Sequence, residues 1–151
     1  MLKISHSKWE LITLFTICIC LFFSIQAYVS QRVEQSARNA VEAFLNAASE
    51  KDFNAYVSNS VDTLPLSVRR QLFDDEFDNE IDNFVGYQIE SVQKVDNKHA
   101  TAIVEIREKD LTLTMKYPVI FDGEKWVVDL GNSENIAQYS SDGKKIFPVF
   151  K

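Results

Sequence analysis

The amino-acid sequence predicts an α+β protein in which an N-terminal transmembrane helix is followed by two or three helices packed on a curved antiparallel sheet of four or more strands. Three observations predict this fold class. Residues 11–29 are uncharged and rich in Leu, Ile and Phe. Apolar residues then recur every three or four positions as far as Phe84, and after Gly86 they alternate with polar ones. The hydrophobic period thus changes from about 3.6 to about 2 residues, as expected for helices followed by strands.

Length and charge limit the classes of function. A chain of 151 residues has room for one ordinary globular domain, at roughly 100–200 residues per domain, which excludes a large multidomain enzyme. Its 16 basic and 22 acidic residues give a net charge of -6. Because nucleic-acid phosphates attract basic surfaces, we expect no nucleic acid among the partners.

The apolar stretch has the length of a membrane-spanning helix. Its 19 residues compare with the roughly 20 that cross the hydrocarbon core of a bilayer. Trp9 and Tyr28 flank the stretch, and aromatic rings favour the membrane interface. We therefore expect residues 11–29 to contact membrane lipid.

The charges before this stretch predict its orientation. Lys3 and Lys8 precede it, with Glu10 as the one acidic residue, and basic residues favour the cytoplasmic side of a membrane. We predict a cytoplasmic end and transmembrane anchor at residues 1–30. Residues 31–151 would then form an exported domain, held at the inner (cell) membrane by a single pass.

A cleaved signal peptide is the alternative interpretation of the same segment. Signal peptides and membrane anchors both begin with basic residues and continue with an apolar core, and Ala27 could be the last residue that cleavage removes. Ile25, two positions earlier, is larger than the small residue that such cleavage sites prefer. Cleavage would make the domain a secreted protein, and the domain is exported under either interpretation.

The two cysteines, Cys18 and Cys20, both lie inside the apolar stretch. The exported part therefore contains neither a disulfide nor a thiolate zinc site. It holds 14 basic and 21 acidic residues, a net charge of -7. This part must be stabilised by its own hydrophobic core.

Three helices are predicted in the exported domain. Residues 31–52 contain no Gly or Pro, and their apolar members form one helical stripe. Residues 53–59 form a short second helix, which Pro65 separates from a third helix at residues 66–84. The apolar face of the third helix consists of Leu72 or Phe73, Phe77, Ile81 and Phe84.

Four consecutive strands follow, which predicts antiparallel pairing. Alternation places them at residues 87–95, 100–108, 111–121 and 125–130. Asp122 and Gly123 form the tight turn between the last two strands.

The tail is predicted to begin with a helix and to end with a strand. Asn132 or Ser133 would cap a short helix that ends near Tyr139. A turn at residues 142–143 would then lead into an edge strand at residues 145–150.

Two local patterns resemble a known superfamily. One is the run AVEAFLNAA at residues 40–48, followed by Lys-Asp-Phe at residues 51–53 and by Tyr56. The other is DGEKWVV at residues 122–128, a glycine turn that leads into a strand containing Trp. Together they resemble the opening helices and the closing hairpin of cystatin-like, nuclear-transport-factor-two-like domains. The resemblance covers residues 38–131.

This resemblance implies several functions as well as a fold. The superfamily includes exported domains of bacterial lipoproteins, the N-terminal domain of some penicillin-binding proteins and the inner-membrane bridge component of type IV secretion systems. The last of these shares the order of cytoplasmic end, single transmembrane helix and extracytoplasmic domain. Soluble isomerases and dehydratases share the fold too, so the fold alone does not choose a function.

The resemblance also implies a pocket between the concave face of the sheet and the helices, where enzymes of the superfamily place a carboxylate and a tyrosine. The candidate pocket residues here are Tyr56, Tyr87, Tyr117 and Trp126. Asp129 alternates away from the side of its strand that carries Trp126. Because the inward stripes are nearly all apolar, we predict no catalytic residue and no cofactor.

The chain contains only two histidines, which limits histidine-based catalysis and metal binding. His6 lies in the predicted cytoplasmic end, whereas His99 follows a turn in the exported domain. The two residues therefore cannot share a site, and we predict no metal centre. We expect His99 to be an exposed turn residue.

The most distinctive polar feature is an acidic cluster in the third predicted helix. A calcium loop starting at Asp74 would need Gly at position 79 and Glu at position 85, where this chain has Asn79 and Val85. Acidic residues four positions apart repel one another, so this face is either solvated or docks a basic partner. The candidate docking residues are Asp74, Asp75, Asp78 and Asp82.

These observations predict a single-pass, membrane-anchored, extracytoplasmic module for binding or assembly, without enzymatic activity. Its expected partners are proteins of the bacterial envelope and a second copy of the chain, paired through the sheet. One alternative is a pocket domain that binds a small ligand or acts as an isomerase. Another is a scaffold subunit of a secretion or conjugation complex.

Overall fold

Among the described residues, the three α-helices precede every strand except a two-residue strand at Ser60–Val61. The structure is a computed structural model that describes residues 6–77, 84–140 and 142–146, with backbone alone at residues 6–12, 76 and 77. The chain forms two compact units, Met1–Arg32 and Val33–Lys151. The α+β class predicted from the sequence is confirmed.

The first unit is helical in its described part. Helix α1 runs from His6 to Ser49, and every side chain at residues 13–28 is exposed. The Ser24 hydroxyl donates a hydrogen bond to the Cys20 carbonyl at 2.8 Å, which satisfies one polar group within the apolar stretch. By length and composition this helix could span a membrane, a property that N-terminal signal sequences share.

The second unit begins with the buried stripe of α1. Val33, Ala37, Val41 and Phe44 recur at three- and four-residue steps and are all buried, as the sequence predicts for one face of a helix. With neither Gly nor Pro to interrupt it, the helix continues to Ser49.

A residue in the left-handed backbone conformation ends α1, and the residue after it caps the next helix. Lys51 has φ 57°, and the amides of Lys51 and Asp52 donate to the carbonyls of Ala48 and Ala47 at 3.1 and 2.9 Å. This pair of bonds is a Schellman motif. The Asp52 carboxylate then accepts from the Ala55 amide at 3.0 Å and caps the following helix.

Helices α2 (Phe53–Ser58) and α3 (Leu66–Phe77) follow. The short second helix is confirmed, but the prediction that the third helix reaches Phe84 is wrong. Phe84 starts a strand and pairs with Glu108, because the hydrogen bonds of a sheet ladder outweigh a local helical spacing. Residues 78–83 lie outside the described part. Within α3, Phe73 is buried and Leu72 is exposed.

In the part of the chain that the structure describes, seven strands form one sheet. They are β1 (Ser60–Val61), β2 (Phe84–Lys94), β3 (His99–Glu108), β4 (Leu111–Phe121), β5 (Trp126–Asp129), β6 (Glu134–Ser140) and β7 (Lys145–Ile146). Their order is β1-β5-β4-β3-β2, while β6 pairs with both β4 and β7. The sheet is mixed rather than antiparallel throughout, because β1 pairs in parallel with β5.

Strand β4 has two partners on one edge. Strand β5 pairs with its last residues, Val119 to Phe121, and β6 pairs with residues 111–116. The predicted tail helix near Tyr139 is therefore wrong. Strand β5 has only four residues, so it leaves most backbone N–H and C=O groups along this edge of β4 without a partner. Strand β6 forms hydrogen bonds with these groups.

The connections around β6 are short. A 3₁₀ turn, Leu130–Asn132, links it to β5. The predicted turn before the last strand is present, with Gly143 at φ 78°, a conformation that glycine adopts without strain. Strand β7 covers Lys145–Ile146, and residues 147–151 lie outside the described part.

The hydrophobic core lies between the stripe of α1 and one face of the sheet, called here the inner face. Ala100, Ala102 and Val104 of β3 belong to it, and Ala100 pairs with Val119 and Ala102 with Tyr117 across to β4. Paired residues point to the same side of a sheet, so the inner face combines small and large side chains beneath the helix.

Replacing Phe44 tests this packing. Phe44→Ala should lower the free energy of unfolding by roughly 3–5 kcal/mol, because it leaves a cavity where helix and sheet meet. Urea unfolding of the full chain in a mild detergent, followed by near-ultraviolet circular dichroism, measures this loss. The exposed control Val95→Ala should change stability by no more than about 0.5 kcal/mol; equal losses in both variants would contradict the assigned core.

Candidate functional site

An aromatic cluster lies where α1, α2, α3 and the inner face meet. Phe44 has ring centroids 4.9 Å from Tyr56 and 5.8 Å from Tyr117. Phe73 of α3 adds a third contact, 4.9 Å from Tyr56. The structure thus brings Tyr56 and Tyr117, two of the candidate pocket residues, around one phenylalanine.

The other two candidates lie elsewhere on the sheet. The Tyr87 hydroxyl donates to Asn46 Oδ1 of α1 at 2.8 Å, and burial followed by the nearby Glu42 raises the pKa of Tyr87. The Trp126 ring packs on Phe121 at 5.9 Å. Strands β3 and β4 separate β2 from β5, so Tyr87 and Trp126 lie apart from each other, although both pack against the hydrophobic core that contains Phe44.

Tyr117 is the most buried tyrosine in the described part of the chain, at 6% exposure. Burial, with a smaller contribution from Tyr56, raises the pKa of the Tyr117 hydroxyl strongly, because loss of water disfavours the phenolate. Tyr117 therefore places a neutral donor and acceptor among apolar neighbours.

Asn135 of β6 is a second polar group on the inner face. It pairs with Met115, which packs against the core, and Tyr117 lies two residues further along β4. Asn135 Oδ1 is buried and has no hydrogen-bond partner in the described part of the chain. The inner face thus holds a buried acceptor, Asn135 Oδ1, whose hydrogen-bonding capacity the described residues leave unused.

A buried arginine, which the sequence analysis did not identify, ties α3 to β1. Arg69 is 9% exposed, and its Nη2 donates to Ser60 Oγ at 2.6 Å. Ser60 Oγ in turn donates to the Tyr56 carbonyl at 2.6 Å. The signal was present in the sequence, because Arg69 lies one helical turn before Phe73 and therefore on the same buried face.

The positive charge of Arg69 is compensated by a long ion pair and by an aromatic ring. Its Nε lies 4.0 Å from Asp62 Oδ2 and has no hydrogen-bond partner among the described residues. The guanidinium carbon lies 5.9 Å from the centre of the Tyr56 ring, a cation–π distance. These contacts hold α3 in place through one charged side chain.

The acidic cluster lies partly within the described residues. Asp74 accepts two hydrogen bonds from Arg70 Nε, at 2.9 and 2.8 Å, and the Arg70 guanidinium lies 4.8 Å from the Phe53 ring. Asp75 is exposed. Asp78 and Asp82 lie outside the described part, so docking through the four carboxylates stays a prediction.

The remaining candidate groups lie at strand ends, with His99 at the start of β3 and Asp129 at the end of β5. His99 is exposed, and its Nδ1 lies 2.8 Å from Asp96 Oδ2. The Lys98 amide, followed by His99, lowers the pKa of Asp96. Asp129 accepts from Asn132 at 2.8 Å. In the part of the chain that the structure describes, no group of three or more His, Cys, Asp or Glu residues could hold a metal ion.

Comparison with solved structures supports this architecture through one domain, and other structures match less closely. A domain of unknown function with a cystatin-like fold from Nostoc punctiforme PCC 73102 has a TM-score of 0.51 at 12% identity, over 64% of this chain and 73% of that one. NTF-2-like proteins of unknown function from Silicibacter pomeroyi DSS-3 and Shewanella oneidensis MR-1 have TM-scores of 0.46 and 0.48 at 18% and 12% identity. They match 62% of this chain in each case, and 87% and 92% of their own.

No family model and no curated protein matches the chain. The exported domain predicted from the sequence has the cystatin-like, nuclear-transport-factor-two-like fold, which confirms the resemblance seen in the sequence. Similarity at this level of identity concerns the fold alone, because one fold carries many functions.

A double-mutant cycle tests the Arg69 tie. Ser60→Ala should lower the free energy of unfolding by about 1–3 kcal/mol, because it leaves a buried guanidinium N–H of Arg69 unsatisfied and removes the hydrogen bond to the Tyr56 carbonyl. Arg69→Met keeps much of the packing without the charge. The double variant should lose less stability than the two single variants together, by about 0.5 kcal/mol or more. Strict additivity in urea unfolding would contradict the contact.

Burial of Tyr117 predicts a dependence of stability on alkaline pH. A folded-state pKa above the unfolded value contributes stability below the unfolded pKa of about 10, and this contribution is lost as pH rises further. Between roughly pH 9 and 11, wild type should therefore lose more stability than Tyr117→Phe. Urea midpoints measured across this range provide the test, and parallel curves would contradict the burial.

Proposed function

We propose that the chain is a single-pass, membrane-anchored protein whose extracytoplasmic domain is a non-catalytic module for binding or assembly. The observation that carries this proposal is the exposed apolar surface of the first unit. Phe15 is 70% exposed, and Leu14, Phe22 and Phe23 are exposed with it. Water disfavours such a continuous apolar surface, whereas lipid hydrocarbon would cover it.

The chemistry of the carboxyl groups supports a module without catalysis. A general base in an apolar pocket needs a raised pKa. The described carboxyl groups with shifted values have lowered pKa values instead. At Asp96 and Asp122 the largest cause is a backbone hydrogen bond, and at Asp142 it is the Ser140 hydroxyl. All three residues lie in exposed turns, where they stabilise local backbone geometry.

Anchoring gives such a module a physical advantage. A domain held at a membrane meets other membrane proteins at a high effective concentration, so modest contacts suffice for assembly. The expected partners are proteins of the envelope, together with a second copy of the chain through the sheet.

A second candidate function rests on the inner face. Asn135 Oδ1 is buried there without a hydrogen-bond partner among the described residues, and the buried Tyr117 carries its hydroxyl on the same face. A small ligand with one donor and one acceptor could satisfy both atoms, in the way that convergent polar groups orient ligands in apolar pockets. This arrangement favours a ligand-binding domain over an isomerase, because the shifted carboxyl groups lie elsewhere.

Purification of the full-length protein from mildly solubilised membranes tests the first candidate. We expect the uncleaved chain by intact mass and a stoichiometric complex by native mass spectrometry. Phe22→Arg should release the protein from carbonate-washed membranes, because a central arginine costs about 2.5–3.5 kcal/mol of insertion. Phe22→Leu is the matched control and should stay in the membrane.

The membrane topology is measured on the same protein. In a Cys18→Ser/Cys20→Ser background, a cysteine at exposed Val95 should react with a membrane-impermeant maleimide in spheroplasts without permeabilisation. Labelling only after permeabilisation would contradict the extracytoplasmic placement. A protein cleaved after Ala27 and recovered alone with a bound small molecule would instead support the ligand-binding candidate.

A further inference from the structure

One end of the second unit brings the start of its helix together with the end of β2. The Lys94 amide donates to Glu34 Oε1 of α1 at 3.4 Å, whereas the Tyr87 hydroxyl donates to Asn46 Oδ1 at 2.8 Å. Strand β2 therefore runs opposite in direction to α1 and enters its turn, after Lys94, beside the first helical residues of this unit. This end of the unit, which contains Val33 and Glu34, is called here the entry end.

Two hairpin turns lie side by side at the entry end. The first joins β2 to β3 at residues 95–98, and the second joins β4 to β5 at residues 122–125. The Phe121 amide, just before the second turn, donates to the Lys98 carbonyl of the first at 2.9 Å. Every residue of both turns is exposed. The entry end therefore presents two adjacent hairpin tips to its surroundings.

The first of these turns begins with an exposed apolar side chain. Val95 is 66% exposed, the highest value among the large apolar side chains described in the second unit. Turns in water are dominated by Gly, Pro, Asn, Asp and Ser. Lys98 belongs to the same turn and Lys125 to the neighbouring one. Binding to a bilayer interface combines buried apolar area with attraction between basic side chains and anionic lipid, and the entry end offers both.

The charge of the entry end differs from that of the rest of the domain. Residues 33–38, 94–99 and 121–126 hold four basic and four acidic residues, whereas the remainder of residues 31–151 holds ten basic and seventeen acidic ones. The net charge of -7 thus lies entirely away from this end. Because anionic headgroups repel acidic surfaces, the entry end is the part of the domain that such lipids repel least.

Two of the acidic residues at the entry end bond to the backbone of their own turns. Asp96 Oδ1 accepts from the Lys98 amide at 2.7 Å, and Asp122 Oδ1 accepts from the Lys125 amide at 2.9 Å. The backbone N–H dipoles offset part of each negative charge. This further reduces repulsion between the turns and lipid phosphates.

The chain also reaches the domain at this end. Residues 30–32 alone separate Val29, the last residue of the apolar stretch, from Val33. Even a fully extended chain spans no more than about 14 Å over these four steps. If the stretch is held in a bilayer, the entry end is kept close to its surface, and a weak contact with lipid is then favoured by its high effective concentration.

We propose that the entry end rests on the surface of the bilayer that holds the anchor, with Val95 at headgroup depth and with Lys98 and Lys125 beside anionic lipid phosphates. This inference rests on the proposed anchoring and adds a second lipid contact, made by the folded domain. The occupant is lipid because the short tether keeps this end at the bilayer whichever proteins are present. The contact would hold the domain in one orientation and leave its remaining surface to partners.

Two spin labels test this contact in the full chain. In the Cys18→Ser/Cys20→Ser background, a nitroxide is attached at Val95→Cys or at Val85→Cys, and the protein is reconstituted into nanodiscs of phosphatidylcholine and phosphatidylglycerol. Val85 is the matched control, because it is the same residue type, 64% exposed, at the opposite end of β2. The label at Val95 should collide less with a water-soluble nickel complex, and more with oxygen, than the label at Val85. Headgroup depth still leaves Val95 reachable by a water-soluble maleimide from the same side.

Charge variants test the two lysines. Lys98→Gln/Lys125→Gln should weaken contact with the anionic bilayer by about fivefold for each lysine, and nickel collisions at Val95 should rise toward those at Val85. Lys109→Gln/Lys144→Gln removes the same charge from turns at the opposite end and should leave the label at Val95 protected. Nanodiscs of phosphatidylcholine alone should protect this label less.

The outcomes separate failure of this contact from failure of the anchor. Equal nickel accessibility at Val95 and Val85, in protein that stays in the nanodiscs, would overturn the lipid contact while the anchor stands. Loss of the protein from the nanodiscs would contradict the anchor itself. Protection at Val95 that appears only with two copies of the chain in one nanodisc would assign this end to a second copy and overturn the proposal.

Discussion

Packing of the α1 stripe against the inner face of the sheet is the interaction on which the rest of the domain depends. Val41 on the helix and Val104 and Val119 on the sheet are completely buried, and residues 31–151 contain no cysteine. The short side chains of Ala100 and Ala102 leave room beneath the helix for Phe44. Hydrophobic burial at this contact therefore supplies the main stabilisation of the domain.

The remaining elements attach to this contact in different ways. Phe44 links α1 to Tyr56 of α2 and Tyr117 of β4 through ring contacts, whereas α3 is held by Phe73 and by the buried Arg69. A buried guanidinium is costly unless hydrogen-bonded, so its bond to Ser60 specifies where α3 lies. The consequence is that one polar contact and one aromatic contact together hold α3 against the rest of the domain.

The candidate site was only partly predictable. Tyr56 and Tyr117 could be identified because each lies in an apolar pattern, and the structure brings both to Phe44. Tyr87 and Trp126 satisfy the same pattern but lie on strands separated by β3 and β4. Alternation of apolar and polar residues indicates which face of the sheet a side chain occupies, but it does not indicate where its strand lies in the order of the sheet. Arg69 and Asn135 were missed because burial of a polar residue depends on neighbours distant in the chain.

The sequence by itself determined the apolar N-terminal helix, the buried stripe of α1, the short α2 and the strands β2 to β5. Each follows from a local period or a turn, which neighbouring residues alone define. Only the tertiary structure decided that residues 134–140 form a strand and that β1 pairs with β5 in parallel. The reason is physical: β5 is too short to cover the edge of β4, and unpaired backbone groups at that edge select a partner from elsewhere in the chain.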